Sequence, residues 1–188
     1  MGGTTAFNKE VSSRVSSEGV HALESALLQP TNEYIVAETI ARDFYRAMGF
    51  KAQRSYLTTY FVAENDMGAG HKLPDILYNG TKYSSPDSFQ QFIEGLPKLT
   101  YDIESLSAVI INPALAMEGF NEQDIKKGRA AVVSVAVNGT VTSDQDEDKH
   151  IFSDNFVMMP NPEANKNGRR DRGKREWLIG VLSSRLVG

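Results

Sequence analysis

The sequence predicts an α+β domain in which helices cover one face of a strongly bent antiparallel sheet. Apolar residues recur at helical spacing between residues 31 and 61. An Asn-Gly pair at 79–80 follows a short apolar run and predicts a hairpin. From residue 99 onward the periodicity becomes that of long strands. Helices followed by runs of strands are typical of this fold class.

Composition limits the kinds of protein this chain can be. With 188 residues and 40% hydrophobic content, we expect one domain at 31–188, preceded by an extension at 1–30 that is partly disordered or weakly helical. The absence of cysteine excludes disulfides and thiolate metal sites. No apolar run approaches the ~20 residues that span a bilayer, so we expect no membrane contact. A net charge of −4 argues against a surface devoted to nucleic acid.

Two helices are predicted in the first third of the domain. A capping signal near Thr31 precedes apolar residues spaced by three and four, and Gly49 ends this helix. A second, shorter helical segment is predicted at Gln53–Phe61, where aromatic side chains follow the same spacing.

A hairpin and a third helix come next. Asp75–Tyr78 is a short strand, and Asn79-Gly80 fits the positive φ angles of a tight type I′ turn. Ser85 before Pro86 is a helix-start signal, because the serine hydroxyl can accept a free amide hydrogen and proline tolerates the first helical position. Gly95-Leu96-Pro97 ends that helix.

The remaining sequence predicts strands separated by two insertions, at 113–127 and 161–175. Asn138-Gly139 could form a turn, but the alternation continues beyond it, so a bulge or bend inside one strand is the better interpretation. The predicted strands are Leu99–Asn112, Arg129–Ser143, His150–Met159 and Glu176–Val187.

Several of these segments together resemble a known family. "ILYNGTKYSSPDSFQQFIEGLP" is followed in order by "YDIESL", "AAVVSVAV", "HIFSDNFVMMP" and "EWLIGVLSSRLV". This succession, from Leu73 to Val187, is similar to the nuclear transport factor 2-like family. More narrowly, it resembles the small subunits of heterodimeric nuclear mRNA-export receptors, and the insertions suggest the fungal type.

The resemblance implies a cone-like fold and a binding role without catalysis or cofactor. Such a small subunit pairs sheet to sheet with the similar domain of a large subunit. The pair then binds phenylalanine-glycine repeat nucleoporins and carries mRNA through the nuclear pore. The implied location is the nucleus and its pores, with shuttling to the cytoplasm.

The residues themselves also favour a protein partner. The last strand alternates from Trp177, and one arginine interrupts its otherwise mostly apolar or small side chains. In the resembling subunits an arginine at the position of Arg185 faces an acidic residue of the large subunit. The alternative is an arginine exposed to solvent at a frayed end of the strand.

Bulky apolar residues also occupy both the odd-numbered and the even-numbered positions of a strand, which indicates a sheet buried on both faces. The predicted partner-binding residues are Arg185, Ser183, Val181, Ile179, Phe156 and Met158.

A basic segment in the second insertion is a candidate RNA contact. Its side chains could follow phosphates of RNA or of a pre-ribosomal particle, although the segment has no aromatic residue for base stacking. A solvated loop that keeps a hairpin soluble is the equal alternative. The candidate residues are Arg169, Arg170, Arg172, Lys174 and Arg175.

The rival hypothesis is an enzyme, because the same fold also serves dehydratases and isomerases that use a polar cone interior. His150 and Asp154 lie four residues apart on one strand face, which separates them by roughly 13 Å, too far for a hydrogen bond. Tyrosines such as Tyr45, Tyr78 and Tyr101 could add polarity to a pocket. No P-loop, dinucleotide fingerprint, zinc pattern or nucleophile elbow is present. We therefore predict no catalytic or metal-binding residues.

Overall fold

The structure is a computed structural model, and it describes residues 32–66, 72–112, 122, 130–164 and 173–187. The helical elements are α1 (Asn32–Gly49), the 3-10 helix η1 (Lys51–Tyr60) and α2 (Pro86–Gly95). The strands are β1 (Asn65–Asp66), β2 (Lys72–Leu73), β3 (Asp75–Tyr78), β4 (Thr81–Tyr83), β5 (Leu99–Asn112), β6 (Val132–Ser143), β7 (Asp146–Pro160) and β8 (Trp177–Val187). The predicted extension at 1–30 lies outside the described residues, as does nearly all of the 113–127 insertion.

Six strands form one sheet in the order β4-β3-β8-β7-β6-β5, while β1 and β2 form a separate two-stranded ribbon. The three helical elements and this sheet confirm the predicted α+β class. One pairing departs from the expected antiparallel sheet, because β3 runs parallel to β8. The hairpin pairs β4 with one edge of β3, and β8 pairs with the other edge of β3.

Helix α1 packs an aromatic residue into the centre of the core. Phe44 is fully buried, and its ring meets Tyr60, Phe61 and Phe156 edge-on, with centroids 5.6 to 6.0 Å apart. Edge-on contacts of this kind add to the free energy gained from burying the rings. Small residues on the same helix face, Ala37 and Ala41, are also buried. The apolar spacing that predicts α1 therefore marks the side that faces the sheet.

The second predicted helix is a 3-10 helix, and a buried arginine accounts for its position. The Arg54 side chain has no exposed surface, and it donates hydrogen bonds to the carbonyl oxygens of Met48, Leu96 and Pro97 at 2.8, 2.6 and 2.6 Å. Met48 lies in the last turn of α1, and Leu96 is the C-cap of α2. Carbonyls at helix C-termini lack intrahelical partners and favour positive charge. One guanidinium thus joins the ends of two helices.

The hairpin and the start of α2 confirm the sequence prediction. Asn79 and Gly80 have φ angles of 45° and 80°, as a type I′ turn requires. The Ser85 hydroxyl accepts a hydrogen bond from the Ser88 amide at 3.1 Å, and the Ser88 hydroxyl accepts one from the Ser85 amide at 3.1 Å. This reciprocal capping box fixes where α2 begins.

Strand β6 continues through Asn138-Gly139, as predicted, and the ladder irregularity lies on its neighbour. The register skips one residue of β5 between Ile103 and Ser105, opposite Gly139. A Cβ atom on Gly139 would come within 2.0 Å of the Asp102 carbonyl oxygen. Glycine is therefore required here by the close approach of β5 rather than by a turn.

Candidate protein-binding face of the sheet

A bulge in β8 decides which of its side chains face the helices. Met158 pairs with Ile179 and Val157 pairs with Val181, so Gly180 is an extra residue in β8. Such an insertion reverses the side on which the following residues lie. The predicted single face running from Trp177 to Val187 is therefore wrong. Ile179 is buried beneath the helices, and of the predicted face only Val181, Ser183, Arg185 and Val187 lie on the uncovered side.

Two further residues of the predicted partner set belong to the core. Phe156 and Met158 have no exposed surface, and they lie on the helix-covered face. Their neighbours in β7, Val157 and Met159, are only partly buried and take the other face. The prediction that β7 carries apolar side chains on both faces of the sheet is correct. The prediction that Phe156 and Met158 lie on the partner-binding face is wrong.

We call the face turned away from the helices the open face. Cross-strand partners lie side by side on it, in rows that run across the four long strands. The first row carries three valines and one serine, and the second carries only small or polar side chains. The rows are Val181–Val157–Ser134–Val109 and Ser183–Asn155–Ala136–Ser107.

Arg185 lies in a third row of the open face. It pairs with Ser153, which pairs with Asn138, which in turn pairs with Ser105. Its strand lies inside the sheet, between β3 and β7, and the ladder continues to Val187. The arginine is therefore held in register and is not at a frayed end. Its side chain is exposed, and no carboxylate among the described residues forms an ion pair with it.

The covered face contains one ionisable pair that sequence reasoning missed. The Tyr45 hydroxyl donates a 2.7 Å hydrogen bond to Asp154 Oδ2, and the Asp154 side chain is only 3% exposed. Burial raises the pKa of Asp154 to about 6, although the nearby Ser184 and Tyr45 hydroxyls and the Arg185 amide oppose the rise. Burial, followed by the charge of Asp154, raises the pKa of Tyr45, so the phenol stays protonated as a donor. Because 109 residues separate the pair in sequence, no local pattern indicated it.

His150 and Asp154 do not form a catalytic pair in this structure. His150 Nε2 instead lies 3.6 Å from Asp146 Oδ2, at the turn end of β7. His150 lines a cavity of about 260 Å³ with Tyr78, Tyr83 and neighbouring apolar residues, but Asp154 does not line it. In the described ranges, no group of three His, Asp or Glu side chains could hold a metal ion. None of the helices described is long and apolar enough to cross a membrane.

The basic segment is only partly described, and its described residues are already engaged. The Arg175 guanidinium lies 3.7 Å from the centroid of the Tyr60 ring, a cation–π contact that ties the end of the segment to η1. Lys174 Nζ forms a 3.1 Å ion pair with Glu163. Arg169, Arg170 and Arg172 lie outside the described residues.

Comparisons with known proteins identify the fold of this chain through solved structures. No family model matches the chain, and no curated protein matches it. A chain of the complex of a Sac3N peptide bound to Mex67:Mtr2 is 22% identical, with a TM-score of 0.65 over 82% of this chain and 99% of that chain. A chain of the Chaetomium thermophilum Mex67 NTF2-like domain complexed with Mtr2 is 21% identical, with a TM-score of 0.65 over 82% and 98%.

A third similar structure is not a complex with Mtr2. Nuclear transport factor 2 from Cryptosporidium parvum is 13% identical, with a TM-score of 0.51 over 85% of this chain and 98% of that chain. Like the chains of the complexes with Mtr2, it is covered almost to its full length. This chain has the nuclear transport factor 2-like fold.

Proposed function

We propose that this chain is the small subunit of a heterodimeric nuclear mRNA-export receptor and binds the similar domain of a large subunit through its open face. The observation that carries the proposal is that face itself, where a row of valines and a row of small side chains lie beside one arginine without an ionic partner. Small side chains let a second sheet approach closely, and valines contribute buried apolar area.

The similar solved structures support a heterodimer of this kind. The structures with TM-scores of 0.65 contain Mtr2 in complex with Mex67 or its NTF2-like domain. Their identity to this chain is 22% and 21%, so the partner is inferred from the fold together with the open face. A role in nuclear export further implies residence at the nuclear pore and binding to phenylalanine-glycine repeat nucleoporins.

Arg185 gives the proposed interface its specificity. A guanidinium buried by a partner without a counter-ion would be costly, so the partner has to place a carboxylate opposite it. The surrounding Ser153, Asn138 and Ser183 hydroxyl and amide groups can supply further hydrogen bonds. The arginine then fixes the relative position of the two sheets, while the valine row supplies most of the apolar contact.

The test is a charge reversal followed by rescue. Arg185→Glu should weaken binding to the large subunit's matching domain by roughly 2 to 5 kcal/mol, about 30-fold or more, measured by titration calorimetry. Lys72→Glu makes the same charge change on the separate β1–β2 ribbon, and it should leave the affinity unchanged. Exchanging the partner's facing carboxylate for a cationic residue should restore binding to the Arg185→Glu chain. Equal affinities of the wild-type and Arg185→Glu chains would remove the open face from the interface.

We also propose that the basic segment contributes RNA contact through Arg169, Arg170 and Arg172. Lys174 and Arg175 already have an ion pair and a ring contact, so they anchor the segment and offer less to phosphates. Neutralising Arg169, Arg170 and Arg172 together should reduce the salt dependence of RNA binding by about 2 in slope, at ~0.7 per phosphate contact. Neutralising Lys174 alone should change it less. An unchanged slope in the triple variant would leave the segment as a solvated loop.

A further inference from the structure

We propose that a groove between α1 and β5 is a second binding site for single-stranded RNA, in which a base stacks on Phe50 and phosphates contact Arg46 and Lys98. The groove is a cavity of about 480 Å³, within the size range of small-molecule sites. Its lining includes Arg42, Arg46, Phe50, Lys98, Tyr101 and Asp102. We call it the Phe50 groove.

Two of its three cations have no ion-pair partner among the described residues, although the Asp144 carboxylate accepts a 3.1 Å hydrogen bond from the Lys98 amide. Arg42 forms a 2.8 Å ion pair with Glu38. No carboxylate among the described residues forms an ion pair with Arg46 or Lys98. Asp102 is the one acidic residue of the lining. In a chain whose net charge is −4, this concentration of cationic side chains favours an anionic ligand.

An exposed aromatic ring lies among these cations. Phe50 is 50% exposed. Arg46 Cζ and Lys98 Nζ lie 6.0 and 5.9 Å from its ring centroid, at the outer limit of a cation–π contact. A flat apolar ring with two positive charges about 6 Å from its centre matches a nucleotide, which carries an aromatic base and an anionic phosphate. An acidic peptide would satisfy the cations and leave the ring exposed.

The backbone around Phe50 holds this arrangement in place. Its amide donates a 3.0 Å hydrogen bond to the Arg46 carbonyl at the end of α1. Gly49 lets the helix end approach the start of β5, since a Cβ atom there would lie 2.7 Å from the Leu99 carbonyl oxygen. Lys98, directly before β5, is thereby brought beside the last turn of α1. The hydrogen-bonded end of α1 and its close approach to β5 therefore fix the position of the groove on the helix-covered side.

The site is separate from the proposed heterodimer interface. Its β5 lining comprises Leu99, Tyr101 and Ile103, which pack against the core beneath α1, together with Thr100 and Asp102 on the edge strand, and none of these five lies in the three rows that the partner would cover. RNA and a protein partner can therefore bind at the same time. The inference does not depend on the export role, because it is tested with RNA on this chain alone.

The test measures binding of a fluorescein-labelled 15-nucleotide oligouridine to the full chain by anisotropy, over a series of salt concentrations. Phe50→Ala should weaken binding about 5- to 150-fold with an unchanged salt slope, because stacking is worth ~1–3 kcal/mol per base. Phe50→Trp should retain affinity. Arg46→Gln with Lys98→Gln should lower the salt slope by about 1.4, at ~0.7 for each of two phosphate contacts.

The control removes the same net charge elsewhere on the chain. Lys72→Gln with Lys82→Gln, two exposed positions outside the groove, should leave both affinity and slope near wild type. Circular dichroism should show that every variant keeps the wild-type fold. Equal losses in the two double variants, no effect of Phe50→Ala, or equal competition by poly-glutamate and unlabelled oligouridine would each overturn the proposal.

Discussion

The two faces of the central sheet use the same strands for different purposes. In β7, Phe152, Phe156 and Met158 are buried under the helices, while Ser153 and Asn155 between them face outward. The covered face buries large rings that contact one another, and the open face carries rows of valines and of small or polar side chains. The covered face thus stabilises the fold, whereas the open face is available for recognition.

The two faces also differ in whether their charged side chains have hydrogen-bond or ion-pair partners. On the covered side, Arg54 has three carbonyl partners and Asp154 has the Tyr45 hydroxyl. On the open side, Arg185 has no ionic partner within the described chain. Buried charges require such partners, and an exposed charge does not. Substituting similar residues on the two faces therefore tests whether the distinction holds.

The largest difference should come from adjacent residues of β7. Phe156→Ala should lower the free energy of unfolding by about 3–5 kcal/mol, because it leaves a cavity among the rings around Phe44. Val157→Ala, on the open face, should cost about 1 kcal/mol or less. Urea unfolding of the isolated chain measures both. Similar losses at the two positions would mean that the open face is also packed within the single chain.

A second comparison uses the two arginines. Arg54→Met should cost about 3 kcal/mol or more, because it leaves the carbonyls of Met48, Leu96 and Pro97 without their donor. Arg185→Met should change the stability of the isolated chain by no more than about 0.5 kcal/mol, while weakening the heterodimer. Thermal unfolding and calorimetric titration separate these effects. An Arg54→Met chain as stable as wild type would refute the structural role of the three hydrogen bonds.

A third comparison uses the pH dependence of stability. The pKa of Asp154 is about 6 in the folded chain, against an ordinary value of 3.8 for an exposed aspartate, so the folded state binds more protons between these values. Its contribution is fully present below about pH 4 and is lost as the pH rises through 6, a loss of ~3 kcal/mol from a pKa difference of this size. Asp154→Asn should abolish this fall in a series of unfolding curves from about pH 4 to 7.5.

Tyr45→Phe is the companion variant for the same series. The Tyr45 hydroxyl stabilises the charged carboxylate, so removing it should raise the Asp154 pKa further. The loss of stability should then extend to higher pH than in wild type. If Asp154→Asn and wild type lost stability in parallel between about pH 4 and 6, another group would be responsible.

The sequence was most informative where structure is set by neighbouring residues. The type I′ turn at Asn79-Gly80, the cap at Ser85 and both ends of β5 follow from local chemistry, and all three were predicted. The open face was predicted as a surface in need of a partner, and Arg185 was placed on it. Val181 and Ser183 also lie on that face.

The errors arose where distant residues decide the outcome. The Gly180 bulge, which turns Ile179 inward, depends on the register with β7. The short helical segment predicted at Gln53–Phe61 is present as a 3-10 helix, but its Arg54, which reaches carbonyls 42 and 43 residues away, was not predicted. For the Phe50 groove, the spacing of Arg46 and Phe50 by four at the end of α1 was a local signal. The contribution of Lys98 required the fold.

The smallest comparison concerns two serines, one that begins a covering helix and one on the open face. Ser85→Ala removes the hydroxyl that accepts the Ser88 amide hydrogen, so it should cost about 1 kcal/mol. Ser85→Asp should restore most of that loss, since aspartate also caps and its charge suits a helix N-terminus. Ser183→Ala should leave the unfolding free energy of the isolated chain unchanged, because its side chain lies on the face that the helices do not cover. Equal small losses for Ser85→Ala and Ser183→Ala in urea unfolding would show that the cap contributes no more to this fold than an open-face hydroxyl does.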